Sequence, residues 1–210
     1  MVAVGLSVGI LSTGCGQQSA TTARHVKPVS GRNLRWKAPP KMFINTHKLY
    51  TATVKTTAGS FVISLFAKQD PVAVNNFVFL ANHKFFNGDE IFRVIKPFMF
   101  QTGDPLNNGT GGPGYEWNGE RPTYPYQPGI VAMANTGNPN TNGSQFFVCT
   151  GQESTSLNQD PIYTEVGRVS KGWSVLQKIA SGAVKKNPMT QEVSLPVHPF
   201  YITSVMISQN

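Results

Sequence analysis

Cysteine is scarce, charge is thin, and the apolar stretch at the start is too short to cross a bilayer. The 210 residues hold two cysteines, Cys15 and Cys149. That is too few for the disulfide framework of a small secreted domain. No pair or cluster has zinc-ligand spacing, and the four histidines, His25, His47, His83 and His198, are scattered. No metal or other cofactor is expected. Charged residues make up 13% of the chain. The apolar run Val2 to Leu11 falls well short of the ~20 residues that a ~30 Å hydrocarbon core requires.

Acids are missing from one long stretch. Between Arg24 and Lys41 lie Arg24, Lys27, Arg32, Arg35, Lys37 and Lys41, and no Asp or Glu. The formal net charge is +8, yet without these six, twelve bases face ten acids. Basicity therefore belongs to the N-terminal tail, not to the domain. Such a tail suits an anionic membrane surface, a wall polymer or nucleic acid, and a solvated linker with incidental charge fits as well. The nearly neutral remainder argues against a nucleic-acid partner.

What is present points to a β-rich domain behind a leader. Hydrophobic content is 40%, enough for one core, and 20 Gly and 15 Pro supply many turns. Residues 1–15 carry no charge, and the apolar part leads into Ser12-Thr13-Gly14-Cys15. This looks like a bacterial lipoprotein signal, in which Cys15 becomes the lipidated first residue. It departs from that pattern in lacking a basic start and in placing Ser12 where an aliphatic residue is usual. Residues 16–45 are polar, basic and Pro-containing, and are expected to form a flexible linker. A domain is expected over residues 46–210.

Within it, two alternating runs flank Thr57-Ala58-Gly59-Ser60 and predict a hairpin with Tyr50, Ala52, Val54, Phe61, Ile63 and Leu65 on the buried face. Asp70-Pro71 predicts a helix start, and Val74, Phe77, Val78 and Ala81 recur at helical spacing. Val175, Leu176 and Ile179 mark a second helix. GIVAMAN, SQFFVCT and FYITSVMIS read as strands, and Cys149 in the second of these as an inert buried thiol. Residues 103–145, rich in Gly, Asn, Pro and Thr, form a long segment of the kind that carries function. Gly109, Gly111 and Gly112 lack the following Lys-Ser/Thr of a phosphate-binding loop, so backbone turns are the better reading. The run EIFRVIKPFMFQTGD is almost wholly apolar but contains Arg93, and a charged side chain is seldom buried without a partner.

FRVIKPFMFQTGDP, NNGTGGPGY, GIVAMANTG, NTNGSQFFVCT and YTEVGRV, in this order, resemble the cyclophilin family of peptidyl-prolyl cis–trans isomerases. So does the hairpin-helix entry, from about Leu49. The resemblance implies a mainly β fold: an eight-stranded antiparallel barrel capped by two helices, with the site on the barrel's outer face. It implies that Arg93 and Gln101 are the catalytic residues, Gln101 by orienting the arginine or binding substrate backbone. It also implies that Phe98, Met99, Ala134, Asn135, Gln145, Phe147, Leu157 and Tyr163 bind substrate. The first two and Phe147 would hold the proline, and Leu157 would sit at the rim. Strand parity puts Arg93, Met99 and Gln101 on one face. Phe98 joins them only if the strand breaks, and Pro97 is the natural breaker.

This sequence departs from the family at named positions. Phe92 stands where histidine is usual before the arginine. Tyr163 stands at the pocket histidine, with about two extra residues before it. The tryptophan expected between Phe147 and Tyr163, through which many members bind cyclosporin, is absent, and Ser156 lies beside Leu157. The expected activity is acceleration of X-Pro isomerisation in exported or unfolded chains, by an extracytoplasmic, membrane-anchored monomer. A secreted form is the alternative location. A non-catalytic module or chaperone that binds proline-containing segments is the alternative function.

Overall fold

Alternation along the chain and Gly/Pro punctuation produce short strands joined by tight turns. The computed structural model describes residues 34–210. The expected leader, Cys15 and the expected linker up to residue 33 lie outside the described residues. Ten strands follow: β1 (Tyr50–Thr56), β2 (Gly59–Leu65), β3 (Arg93–Ile95), β4 (Met99–Thr102), β5 (Ile130–Met133), β6 (Phe146–Cys149), β7 (Glu165–Lys171), β8 (Val184–Lys186), β9 (Val193–Pro196) and β10 (Ile202–Gln209). Two α-helices, α1 (Pro71–Asn82) and α2 (Trp173–Ala180), and a 3-10 helix over Gln152–Gln159 complete the elements.

Eight strands form one antiparallel sheet in the order β10-β1-β2-β7-β5-β6-β4-β3. The expected eight-stranded sheet is present, but the closed barrel needs correction. The sheet curls into a half-barrel, and no ladder joins its edges among the described residues. The gap is spanned instead by residues 88–91. Gly88 and Ile91 donate to the carbonyls of Ile202 and Phe200 at 2.7 and 2.8 Å, and Ile202 donates to Asp89 O at 2.9 Å. The expectation of two helices also falls short. QESTSLNQ has no helical apolar periodicity, so it winds as a 3-10 helix. The hydroxyls of Ser154, Thr155 and Ser156 bond to carbonyls three residues back at 2.7–2.9 Å. The β8–β9 hairpin was not legible in the sequence.

The core lies on the concave face. The residues expected there from β1 and β2 are buried, as are Val94, Phe100, Val131, Met133, Phe146 and Val148. α1 lays Val74, Phe77 and Val78 over them, and Phe77, Phe86 and Phe146 meet at ring separations of 5.1–5.5 Å. α2 contributes Leu176 and Ile179. Burying each such side chain is worth about 1.5–3 kcal/mol.

Two local expectations are corrected. Asp70 precedes α1 but does not cap it. The Glu120 carboxylate accepts from Val72 N and Ala73 N, both at 2.9 Å, and does that work from 48 residues away. The stretch from residue 34 to 45, composed like a linker, packs on the domain. Trp36 stands edge-on to Phe79 at 5.1 Å and donates its backbone N–H to Pro113 O at 2.8 Å. Buried Asn75 accepts from Phe43 N (2.9 Å) and donates to Lys41 O (3.1 Å). An aromatic anchor and a buried amide thus outweigh the local composition.

Asp70 is fully buried, and neither carboxylate oxygen has a hydrogen-bond partner among the described residues. Burial first, then the carboxylates of Glu165 and Glu120, push its pKa up to about 8. The unfolded value is about 3.9, so the fold stabilises the neutral acid. That contribution is full below about pH 4 and is lost as pH rises to about 8. The thermal midpoint of the wild type is expected to fall across this range, and that of Asp70→Asn, which cannot ionise, to fall less. Parallel curves would refute the assignment.

Candidate active site

The sheet is apolar on both faces where β3 to β6 run together. This explains why GIVAMA and FFVC are continuous apolar runs and not alternating ones. The register pairs Arg93 with Gln101, Gln101 with Phe147, and Phe147 with Ala132. One row across the outer face therefore reads Arg93, Gln101, Phe147, Ala132. The neighbouring row holds Ile95, Met99 and Cys149. β3 ends at Ile95 and β4 begins at Met99, so Lys96-Pro97-Phe98 is a turn, closed by Phe98 N on Ile95 O at 2.9 Å. The turn breaks strand parity and lets Phe98 join the outer cluster.

That cluster is a second apolar centre. Met99, Tyr126, Ile130, Ala132, Phe147 and Cys149 are buried in it, and Phe98, Ala134, Leu157 and Tyr163 are partly buried against it. Met99 is 2% exposed and serves as floor. Phe147 meets Tyr163 edge-on at 5.4 Å. Cys149 is fully buried, and burial pushes its thiol up to about 12, so it stays a neutral packing group.

A directed chain of amides runs beside this cluster, where Gln101 pairs with Phe147. Gln145 Nε2 donates to the carbonyls of Gly109 and Gly111 at 3.0 and 2.9 Å. Its Oε1 must then accept, and it takes Gln101 Nε2 at 2.9 Å. Gln101 Oε1 in turn accepts from Arg93 Nη1 at 3.0 Å. Carbonyls at one end and a guanidinium, which can only donate, at the other fix both amide orientations. The glycine loop that starts the chain is itself tied down. The Asp104 carboxylate accepts from Leu106, Asn108 and Gly109 N–H at 2.6–3.0 Å, and Gly109 takes a φ of 91°, open to glycine alone at little cost. The Phe92 ring lies near Gly109.

Arg93 has a second partner that the sequence did not suggest. Its Nε and Nη2 donate to Glu192 Oε2 and Oε1 at 2.7 and 2.9 Å. The two side chains are 36% and 34% exposed. These bonds hold Glu192 below the usual carboxylate pKa. The nearby acids Asp89 and Glu90 are not its partners in that fork. No sequence signal pairs residues 99 apart.

The remaining expected residues lie on the adjoining loops. Ala134 N donates to Gln145 O at 2.9 Å and extends the β5–β6 pairing. Asn135 Nδ2 donates to Ile162 O, and its Oδ1 accepts from Gly137 N, so its amide is spent on loop structure. With Gln101 and Gln145 they line a cavity of about 980 Å³, whose far wall includes Leu34 and Arg35. Tyr126 and Asn158 were missed. The Tyr126 hydroxyl donates to Tyr163 O at 2.7 Å and accepts from Tyr163 N at 2.9 Å. Asn158 joins the 3-10 helix to Tyr126 through Oδ1 and Nδ2, at 2.8 and 2.9 Å. Tyr126→Phe leaves a backbone N–H and C=O of Tyr163 without this partner. A loss of about 1–3 kcal/mol is expected in denaturant unfolding, and an unchanged midpoint would refute this role of Tyr126.

Known proteins share this chain's sequence pattern and fold. The family model for cyclophilin type peptidyl-prolyl cis–trans isomerases matches residues 51–205. A peptidyl-prolyl cis–trans isomerase-like 3 of Gallus gallus is 36% identical over 163 residues, covering 75% of this chain and 96% of that protein. A peptidyl-prolyl cis–trans isomerase B of Streptomyces anulatus is 38% identical over 173 residues, covering 74% and 95%. Among solved structures, a cyclophilin type isomerase of Cryptosporidium parvum aligns with a TM-score of 0.67 at 28% identity, over 77% of this chain and 99% of that one. The same protein was also solved in the presence of the dipeptide Ala-Pro. With 155 residues matched by the family model and two relatives above 30% identity covered almost end to end, the chain belongs to the cyclophilin-type peptidyl-prolyl cis–trans isomerase family, whose members are enzymes acting on proline-containing chains.

Proposed function

We propose that this isomerase works through Arg93, held by Gln101, on a proline seated among Phe98, Met99, Phe147, Leu157 and Tyr163. An X-Pro bond prefers trans by only ~0.5–1 kcal/mol, yet isomerises in tens to hundreds of seconds. The barrier is amide resonance, about 18–20 kcal/mol for peptide bonds. No covalent bond is made or broken. A catalyst has to grip the ring, hold the flanking chain and stabilise the twisted amide more than the planar one. In the twist the nitrogen lone pair localises, and a fixed donor aimed at it or at the neighbouring carbonyl lowers the barrier. Arginine suits this because it is permanently charged, planar and rich in donors.

The observation that carries the reading is where the amide chain ends. Gly109 and Gly111, Gln145 and Gln101 form one hydrogen-bonded line that terminates on the guanidinium, beside an apolar cluster. Three of its five N–H groups are used by Gln101 and Glu192. Two are left over for a substrate among the described residues. Ala134, Asn135 and Gln145 border the cavity, and their remaining acceptor oxygens would take N–H groups of the substrate chain. The Cryptosporidium parvum relative was solved in the presence of the proline-containing dipeptide Ala-Pro, which supports a proline ligand here.

The clients are exported or unfolded chains, and the enzyme sits on the outer side of a bacterial cell membrane through a lipid on Cys15. The Ser12-Thr13-Gly14-Cys15 run and the basic stretch that follows support this. Among the described residues no helix is long and apolar enough to cross a membrane.

Arg93→Ala is expected to lower kcat on an X-Pro peptide by about a hundredfold or more without unfolding the domain. Wild-type activity in that variant would sink the mechanism. Mass measurement of the mature N-terminus is expected to find acyl chains on Cys15, and Cys15→Ala is expected to move the protein from the membrane to the aqueous fraction. An unmodified cysteine in the mature protein would remove the anchor.

A further inference from the structure

We infer that Glu192 is a positioning residue for Arg93, and that its charge tunes which residues are accepted next to the substrate proline. The inference rests on the reading that Arg93 stabilises the twisted amide. A single bond from Gln101 fixes one N–H direction and leaves the guanidinium plane free to tilt. The fork formed by Nε and Nη2 on the Glu192 carboxylate, at 2.7 and 2.9 Å, fixes the plane. The two side chains together hold the donor group from both sides.

Glu192 is presented by a structure built to hold it. It precedes β9 in the β8–β9 hairpin, where Lys186 pairs with Val193, and β9 lies against β3, which carries Arg93. The turn is locked by Gln191 N on Asn187 O (2.8 Å), Met189 N on Asn187 Oδ1 (2.9 Å) and Gln191 Nε2 on Pro188 O (2.8 Å). The Glu192 carbonyl accepts from both Asn187 N (2.7 Å) and Ser194 N (3.1 Å). Gln191 has a φ of 64°, an uncommon left-handed conformation for a residue with a side chain. A surface ion pair between two flexible side chains needs none of this.

The pairing also sets the charge at the site. An uncompensated guanidinium attracts an acidic side chain beside the proline, and the Glu192 carboxylate offsets that attraction. The enzyme keeps a rigid donor while losing most of the net charge that would bias it toward acidic sequences.

The test measures kcat and KM on peptides with Glu, Ala or Lys before proline. It compares wild type, Glu192→Ala, Glu192→Gln, Arg93→Ala and the Arg93→Ala/Glu192→Ala double variant, with the Arg93 Nε–H resonance followed by NMR. Glu192→Ala is expected to lower kcat about tenfold with KM little changed, as loss of orientation does. Its Nε–H should exchange faster with solvent. Glu192→Gln, which keeps one acceptor, should recover part of kcat. In both variants the preference should shift toward Glu-Pro over Lys-Pro, and in the Arg93→Ala background the Glu192 change should cost nothing further. Unchanged or raised kcat, a KM effect alone, or an additive loss in the double variant would each overturn the role of Glu192. Full activity of Arg93→Ala would instead show that the underlying reading of Arg93 fails.

Discussion

The antiparallel register that ties β3 to β4 and β4 to β6 sets the geometry of everything else. It places Arg93, Gln101, Phe147 and Ala132 in one row on the outer face, while Val94, Phe100 and Val148 face the core. A slip of one residue would turn each of these to the opposite side. The core and the site thus hold each other in place. The phenylalanines packed under α1 resist any shift that would move the arginine, and the outer pocket buries its own apolar surface over the same strands.

On this frame the polar groups are arranged by direction as well as distance. The glycine loop offers only carbonyls to Gln145, and Arg93 offers only donors to Gln101. Between such ends two amides can point only one way. The donor for the proposed chemistry is therefore oriented before a substrate arrives, which is the form of catalytic help that costs nothing at the moment of reaction.

The strands of β1 and β2, the start of α1 and the apolar face of α2 were legible because each depends on local periodicity. Arg93 was legible as an anomaly, a charge within an apolar run, and the ordered motifs shared with the cyclophilins explain its setting. Glu192, Tyr126, Asn158 and Glu120 were not legible. Each acts on a partner at least 32 residues away in sequence. The linker-like stretch from residue 34 to 45 shows the same limit, since its composition says nothing of the aromatic cluster on which Trp36 rests.

The sequence by itself determined the strands of the first hairpin and their buried face, the two α-helices, the break at Pro97 that frees Phe98, and through its motifs the family and the kind of reaction. Periodicity and turn chemistry act over a few residues, so they can be read along the chain. Only the tertiary structure decided how far the sheet closes, that a 3-10 helix and a second hairpin flank the pocket, and that the arginine is gripped from both sides. Those outcomes depend on which distant backbone and side-chain groups come within hydrogen-bonding range, and the folded chain alone sets that.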